Sequence, residues 1–152
     1  MDAQNKICLG FYTPLKERFN FQQSSKILRY SISNGDLYID TADNYLNGNQ
    51  QKFLSKIIGK SREEISYINK FQLLKNYNDL EKNLDLSLKR LKTDYIDIYM
   101  PHWPSIYFDE KRLSDFAYKM IRKGKIKNFG LSNFNIKFVK KFKKHFKKKI
   151  FL

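Results

Sequence analysis

The sequence predicts an α/β fold that is part of a (β/α)8 barrel: a parallel sheet of about five βα units and the start of a sixth strand. Short apolar segments rich in β-branched and aromatic residues alternate with longer segments of helical periodicity. Successive predicted strands lie about thirty residues apart, close to one eighth of a barrel of roughly 250 residues. Polar residues follow several of these strands, where barrel enzymes place their chemistry. A doubly wound open sheet also fits the alternation, but the chain has no glycine-rich dinucleotide or Walker-type loop.

The predicted elements follow one another in a regular order. The predicted strands cover 7–12, 37–40, 65–70, 95–100, 127–131 and the opening of a sixth at 150–152. The predicted helices cover 22–33, 49–58, 79–91, 110–123 and 135–147. Each helix carries apolar residues at helical spacing, as Leu80, Leu84, Leu88 and Leu91 do. Glycine at or just after the end of three helices is a common stop signal.

The composition indicates one domain spanning residues 1–152, with enough apolar and aromatic residues to bury a core. The formal net charge of +15 raises the question of an anionic partner. Eight lysines and no acidic residue lie in 137–149, so basic residues exceed acidic ones by only 7 in the chain before that segment.

Cysteine usage and the absence of a long apolar segment predict the compartment. The single cysteine, Cys8, excludes an intramolecular disulfide and favours a reducing environment. Residues 1–13 show no basic leader followed by a long apolar segment, and no segment approaches the roughly twenty apolar residues of a membrane span. The sequence therefore predicts a cytoplasmic protein without a transmembrane segment.

Three predicted strands end in, or lead into, Asp40, Lys70 and His102, and Tyr45 lies five positions after Asp40. A buried aspartate is costly unless a cation pairs with it, so Lys70 at the end of the next strand is its expected partner. The carboxyl ends of parallel strands meet at one edge, so we expect these four side chains to gather there.

Each of these residues also has a structural interpretation. Asp40 alone would more often begin a turn or cap a helix, and Tyr45 would more often pack with its hydroxyl satisfied. His102 alone is more often structural than catalytic, and Ser132 and Asn133 could cap the following helix. The four residue types at successive strand ends favour the active-site interpretation, because independent structural causes would not place them together.

Five short motifs, in order and at matching intervals, resemble those of the aldo-keto reductase family, the NADP-dependent oxidoreductases, from about Leu9 to the end of the chain. The motifs are I-D-T-A-D-N-Y at 39–45, I-N-K-F at 68–71, S-L-K-R-L-K-T-D-Y-I-D-I-Y at 87–99 leading to P-H-W-P at 101–104, G-K-I at 124–126, and G-L-S-N-F at 130–134. Any one of them would be weak evidence, but the ordered set is strong evidence.

The resemblance implies NADP(H)-dependent reduction of a small-molecule aldehyde or ketone to an alcohol. Such a reaction needs a hydride, which the nicotinamide supplies, and a proton for the developing alkoxide. The resemblance implies that Tyr45 donates the proton, with its pKa lowered from about 10 by the Lys70 ammonium, which Asp40 holds in place. It also implies that His102 donates a hydrogen bond that orients the substrate carbonyl.

The implied site residues fall into three groups. The catalytic residues are Asp40, Tyr45, Lys70 and His102. The cofactor-binding residues are Thr13, Asp40, Ser132 and Asn133, the last two holding the nicotinamide carboxamide. The substrate-binding residues are Tyr45, His102 and Trp103, although packing explains Trp103 equally well. No metal ligand is expected, and Asp94 and Asp97 are interpreted as structural.

The chain departs from the family pattern in two places. Tyr12 stands where the family's first strand has a glycine, and its side chain would crowd the nicotinamide. The chain also stops inside the sixth strand, so the later family positions that grip the cofactor have no counterpart in it. We therefore expect open sheet edges that self-associate or accept a complementing fragment. A catalytically inert, truncated reductase is the alternative function.

A second hypothesis is a basic protein that binds nucleic acid or an anionic membrane through its C-terminal helix. Phe138, Phe142 and Phe146 recur every four residues among lysines, a pattern that suits anionic surfaces. A fifth barrel helix with an aromatic inner face and a solvated outer face is the favoured interpretation, and no specific nucleic-acid partner is expected.

Overall fold

The computed structural model describes residues 7–12, 20–35, 37–72 and 76–152, whose strands form one curled sheet. The strands are β1 (Ile7–Gly10), β2 (Leu37–Ala42), β3 (Ile65–Phe71), β4 (Ile96–Pro101), β5 (Ile126–Gly130) and β6 (Ile150–Phe151). Each strand pairs in parallel with the next one along the chain. A doubly wound sheet reverses its strand order, so this sequential order confirms the partial barrel and shows that the open-sheet alternative was wrong.

Five α-helices connect the strands. They are α1 (Phe21–Ser33), α2 (Asn49–Ile58), α3 (Asn78–Leu91), α4 (Glu110–Arg122) and α5 (Ile136–His145). Side chains of Asn20, Asp109 and Asn135 cap α1, α4 and α5 by accepting hydrogen bonds from backbone N–H groups at 2.7–2.9 Å. The predicted first strand was two residues too long, and the predicted fifth helix two residues too long at its end. Two short 3-10 segments, Tyr45–Gly48 and Gly59–Glu64, were not predicted.

The main core lies between the sheet and the helices. In β2, Leu37, Ile39 and Thr41 are buried while Tyr38 and Asp40 are half-buried, as expected when alternate side chains point to opposite faces. The helices cover one face with residues such as Leu28, Leu54, Leu80, Leu84, Leu113 and Phe142, all fully buried. The opposite face carries the Asp40 side chain, so the sheet separates the apolar core from the polar groups.

The aromatic residues of α5 pack inward. Phe142 and Phe146 are buried, and Phe138 is packed against the core cluster. The eight lysines of 137–149 are exposed. The interpretation of a barrel helix with an aromatic inner face is confirmed, because these aromatic residues complete the core instead of forming an exposed stripe. Within the described ranges, no helix is both long enough and apolar enough to cross a bilayer.

The two outer strands, β1 and β6, each pair with a single neighbour within the part of the chain that is described. The sheet is therefore curled but not closed. Open edges expose backbone hydrogen-bonding groups that a closed barrel would satisfy.

Candidate active site

The carboxyl end of the sheet brings Asp40 and Lys70 together. Parallel pairing of β2 with β3 places Ala42 opposite Lys70, so Asp40, two residues earlier, lies on the same face. Lys70 Nζ donates a hydrogen bond to Asp40 Oδ1 and forms an ion pair with it. The Lys70 side chain is only 8% exposed and that of Asp40 31%, so the pair is buried on the lysine side and open on the aspartate side. The predicted Asp40–Lys70 pairing is present.

Tyr45 lies beside this pair. The Lys70 ammonium lies 5.5 Å from the centroid of the Tyr45 ring. The same ring is buried and contacts the His102 ring, with 5.7 Å between centroids. Three strands and the segment after β2 thus bring together the four residues expected at strand ends.

The pKa of Tyr45 is raised to about 12 in this chain. Burial of the phenol is the main cause, followed by the negative charge of Asp40 and the neighbouring Tyr12. The net lowering of this pKa that the resemblance implied was therefore wrong for the chain alone. Asp40 compensates part of the Lys70 charge, so the ammonium does not outweigh the desolvation of Tyr45 and the Asp40 charge.

His102 follows β4 and is held by its backbone, whose N–H donates to the Phe71 carbonyl at 2.9 Å. Burial, reinforced by the positive charge of Lys70, lowers the pKa of His102, so its ring is neutral at pH 7. Its Nδ1 atom is buried and has no hydrogen-bond partner among the described residues. Trp103 stacks on the ring at 5.4 Å and is 57% exposed. Trp103 is thus open to a ligand beside His102.

Ser132 and Asn133 follow β5 at the same rim. The Ser132 N–H donates to the Pro101 carbonyl at 3.3 Å, and Asn133 Nδ2 donates to the His102 carbonyl at 2.8 Å and to Ser132 Oγ at 3.1 Å. Asn135, not Ser132 or Asn133, caps α5, so the capping alternative was wrong. The pair is tied to His102 instead. Thr13, the remaining predicted cofactor residue, lies outside the described residues.

Three further residues lie at the rim: Tyr12, which the sequence analysis singled out, and Gln50 and Asp43, which it did not. The Tyr12 ring, 63% exposed, contacts the Tyr45 ring with 5.0 Å between centroids. Gln50 is fully buried, donates to the Phe11 carbonyl and accepts from Thr41 Oγ1 at 2.6 Å. Asp43 is half-buried with its Oδ1 lacking a partner within the described ranges, and burial raises its pKa to about 6. Gln50 and Asp43 had no sequence signal for a role in the site, although Asp43 lies within the motif at 39–45.

Comparison with known proteins agrees with the fold and with the arrangement of the rim residues. Residues 6–152 match the sequence model of the aldo/keto reductase family. The chain is 33% identical over 107 residues to methylglyoxal reductase YeaE of Escherichia coli, covering 70% of this chain and 37% of that protein. It is 33% identical over 120 residues to a glyoxal reductase of Bacillus subtilis, covering 77% of this chain and 42% of that protein. The chain thus spans about two fifths of the length of these relatives.

Solved structures of similar proteins agree with this sequence match. A thermostable aldo-keto reductase crystallised with the inhibitor epalrestat superimposes with a TM-score of 0.81 at 28% identity, covering 93% of this chain and 54% of that one. An aldo/keto reductase of Klebsiella pneumoniae in complex with NADP and acetate gives a TM-score of 0.79 at 26% identity, covering 87% of this chain and 47% of that one. By its strand order, its rim residues and its match over residues 6–152, this chain belongs to the aldo/keto reductase family.

Proposed function

We propose that this chain carries the carbonyl-reducing site of an NADP(H)-dependent aldo-keto reductase, with Tyr45 as proton donor. The observation that carries the proposal is the Asp40–Lys70 ion pair at the carboxyl rim, with the rings of Tyr45 and His102 beside it. A cation, a phenol and a neutral imidazole around one point suit the protonation of a carbonyl oxygen.

Each residue has a defined task in this proposal. The neutral His102 ring donates a hydrogen bond to the substrate oxygen and orients the carbonyl. Tyr45, whose pKa of about 12 keeps its proton bound at neutral pH, releases that proton to the oxygen as alkoxide character develops, because an alkoxide is the stronger base. The phenolate that remains is stabilised by the Lys70 ammonium, and Asp40 keeps that ammonium at the rim.

The cofactor we propose is NADP(H), which supplies the hydride when bound. Ser132 and Asn133 would hold its carboxamide: the Asn133 amide oxygen accepts no hydrogen bond from the described residues, and the Ser132 hydroxyl has a proton to donate. A carboxamide needs one acceptor and one donor of this kind. The Klebsiella pneumoniae relative was crystallised with NADP, which supports the choice.

The proposed substrate is a small aldehyde or ketone. The related proteins bear the names methylglyoxal reductase and glyoxal reductase. Trp103 stacks on His102 while remaining more than half exposed, so we place it in the wall of the substrate site together with Tyr45 and His102.

Two further parts of the proposal concern the protein's surroundings. We propose that the edges formed by β1 and β6 pair with another copy of the chain or with a complementing fragment, because both strands carry unpaired backbone groups. We also place the chain in the cytoplasm, where the exposed, free thiol of Cys8 would stay reduced. Light scattering over a range of concentrations tests the first part: a monomer at all concentrations contradicts self-association.

The central experiment compares wild type with Tyr45→Phe in NADPH-dependent reduction of methylglyoxal and of a generic aldehyde. We expect wild type to oxidise NADPH and Tyr45→Phe to lose about 10²–10⁴-fold of its kcat, because the general acid is gone. Tyr30→Phe is the matched control, since Tyr30 is 73% exposed on α1. Equal turnover of wild type and Tyr45→Phe rejects the role of Tyr45. Unchanged NADPH fluorescence at millimolar cofactor favours the inert-fragment alternative.

A further inference from the structure

Arg90, in the last turn of α3, contacts both ends of the turn that carries Tyr45. Its Nη1 donates to the backbone carbonyl of Asp43 at 3.2 Å, two residues before Tyr45. Three residues after Tyr45, Gly48 lies so close to the guanidinium that a Cβ added there would overlap Cζ, Nη1 and Nε of Arg90. A single side chain from another element therefore spans the turn.

The turn between these two contacts has an unfavourable backbone. Leu46, Asn47 and Gly48 follow one another with φ values of 48°, 54° and 81°. Left-handed conformations cost a residue with a side chain about 1–2 kcal/mol, and such strain persists only where surrounding contacts hold it. At its start, the turn is also tied to β3, because the Asp43 N–H donates to the Lys70 carbonyl at 2.9 Å.

The space beside the turn makes the Arg90 contact more important. A cavity of about 330 Å³ lies there, lined by Asp43, Asn44, Asn47, Gln72, Asn83, Leu86 and Arg90. On that side the turn is not held by close packing, so removal of the guanidinium would leave it room to relax. Tyr45 sits between the two contacts of Arg90 and would move with the turn.

We propose that Arg90 is a positioning residue that holds Tyr45 at the Asp40–Lys70 pair, with Gly48 as the position that admits its guanidinium. The proposal rests on the function proposed above for Tyr45. Arginine suits the task because its planar fork can donate to the Asp43 carbonyl while its flat face lies against Gly48, whereas a lysine ammonium is a single point of contact. Glycine suits position 48 because it tolerates positive φ and leaves no Cβ in the way.

The test uses the full chain with Arg90→Ala, Arg90→Lys and Gly48→Ala, and with Arg122→Ala as the matched control on the exposed end of α4. Amide hydrogen exchange followed by mass spectrometry reports on the segment 43–48 without any need for activity. We expect exchange in that segment to rise about tenfold or more in the three variants, with β3 and β4 unchanged. Steady-state NADPH oxidation should show kcat falling about 10–100-fold with the KM for aldehyde within about threefold, since a misplaced proton donor slows chemistry more than binding.

The outcomes separate the two proposals. The positioning role is overturned if Arg90→Lys and Gly48→Ala both exchange segment 43–48 at the wild-type rate. It is also overturned if both variants lose protection throughout the sheet, because Arg90 would then be a general packing residue. If wild type itself does not oxidise NADPH, the function proposed for Tyr45 fails, and the exchange readout still decides whether Arg90 holds the turn. If Arg90→Ala does not fold, Arg90→Lys and Gly48→Ala decide alone.

Discussion

Two aspartate–cation pairs lie at opposite ends of this sheet and differ in how completely they are satisfied. At the amino end, Arg62 donates to Asp97 at 2.8 Å, to two backbone carbonyls at 2.9–3.0 Å and to Thr93 Oγ1 at 2.8 Å. Asp97 also accepts from the Tyr67 N–H at 2.9 Å and pairs with Lys127 at 2.9 Å. The Arg62 guanidinium lies 4.2 Å and 4.9 Å from the centroids of two tyrosine rings.

The Lys70–Asp40 pair at the carboxyl end is less complete. Asp40 is one-third exposed, the nearby His102 Nδ1 has no partner in the described part of the chain, and the buried Tyr45 phenol has a raised pKa. A pair whose hydrogen-bonding capacity is used up stabilises the fold, whereas one that leaves polar groups unused can bind and protonate a ligand. Similar residue types thus stabilise the fold at the amino end and, under the function proposed above, carry the chemistry at the carboxyl end.

The largest expected effect is on turnover. Lys70→Met should lower kcat/KM about 10³-fold or more, because the phenolate left by Tyr45 loses its cation. The same change should alter the free energy of unfolding by less than about 1 kcal/mol, since the stranded Asp40 can reach water. NADPH oxidation and urea denaturation measure the two quantities. If Lys70→Met unfolds under conditions in which wild type stays folded, the Lys70–Asp40 pair also stabilises the fold, and the two ends of the sheet do not differ as described.

Arg62→Ala should act in the opposite way. We expect a loss of about 2–4 kcal/mol in the free energy of unfolding, moderated by the Lys127 pair that Asp97 keeps. Turnover of the fraction that remains folded should be within about twofold of wild type, as the change is at the far end of the sheet. Urea denaturation followed by circular dichroism gives the first value. A stable Arg62→Ala protein without activity would contradict this assignment of roles.

Asp43 is a third aspartate for this comparison: it lies at the carboxyl rim, and no ion pair to it is found among the described residues, although the Arg90 charge partly lowers its pKa. Its pKa is raised to about 6, chiefly by burial, so the folded state holds this proton more tightly than the unfolded chain does. The contribution of this bound proton to the free energy of unfolding is therefore complete below about pH 4 and is lost as the pH rises through 6. In wild type, the free energy of unfolding should fall by about 1–2 kcal/mol between pH 4.5 and 7 because of this group, and Asp43→Asn should remove that part of the pH dependence. Thermal melting at a series of pH values measures it, with the exposed Asp115→Asn as control.

The smallest expected effect concerns exposed lysines of α5, which lie outside both aspartate–cation pairs. Lys140 and Lys144 are exposed on α5, where Lys141–Glu110 at 3.8 Å is the one ion pair found among the described residues of 137–149. Lys140→Gln with Lys144→Gln should change the free energy of unfolding by less than about 0.5 kcal/mol and leave turnover unchanged. Urea denaturation and the NADPH assay test this. A loss of activity would show that the basic face takes part in the reaction.

Much of the site could be predicted because its residues stand in short segments with clear local patterns. Apolar runs predicted the strands, and strand ends supplied Asp40, Lys70 and His102, while the ordered motifs singled out Tyr45. The Arg62–Asp97 network and the Arg90 contacts could not be predicted in this way. Arg62 lies in a 3-10 segment and Arg90 in the last turn of a helix, so neither stands at the end of a predicted strand, and only folding brings them to Asp97 and to the Asp43 carbonyl.

The direction of the Tyr45 pKa shift also could not be predicted from the sequence. The family resemblance implied that the Lys70 ammonium would lower the pKa of the Tyr45 phenol. The outcome depends instead on how deeply the ring is buried and on which charges are already paired, and these follow from packing.

By itself, the amino-acid sequence determined the βα alternation, the parallel sheet and the identity of the rim residues, because periodicity and strand ends are local properties of the chain. The tertiary structure alone decided which aspartate is fully satisfied, which phenol is buried and which arginine reaches the Tyr45 turn. Burial and electrostatic interaction act between residues distant along the chain, and their strengths depend on distances and solvent access that only the folded sheet defines.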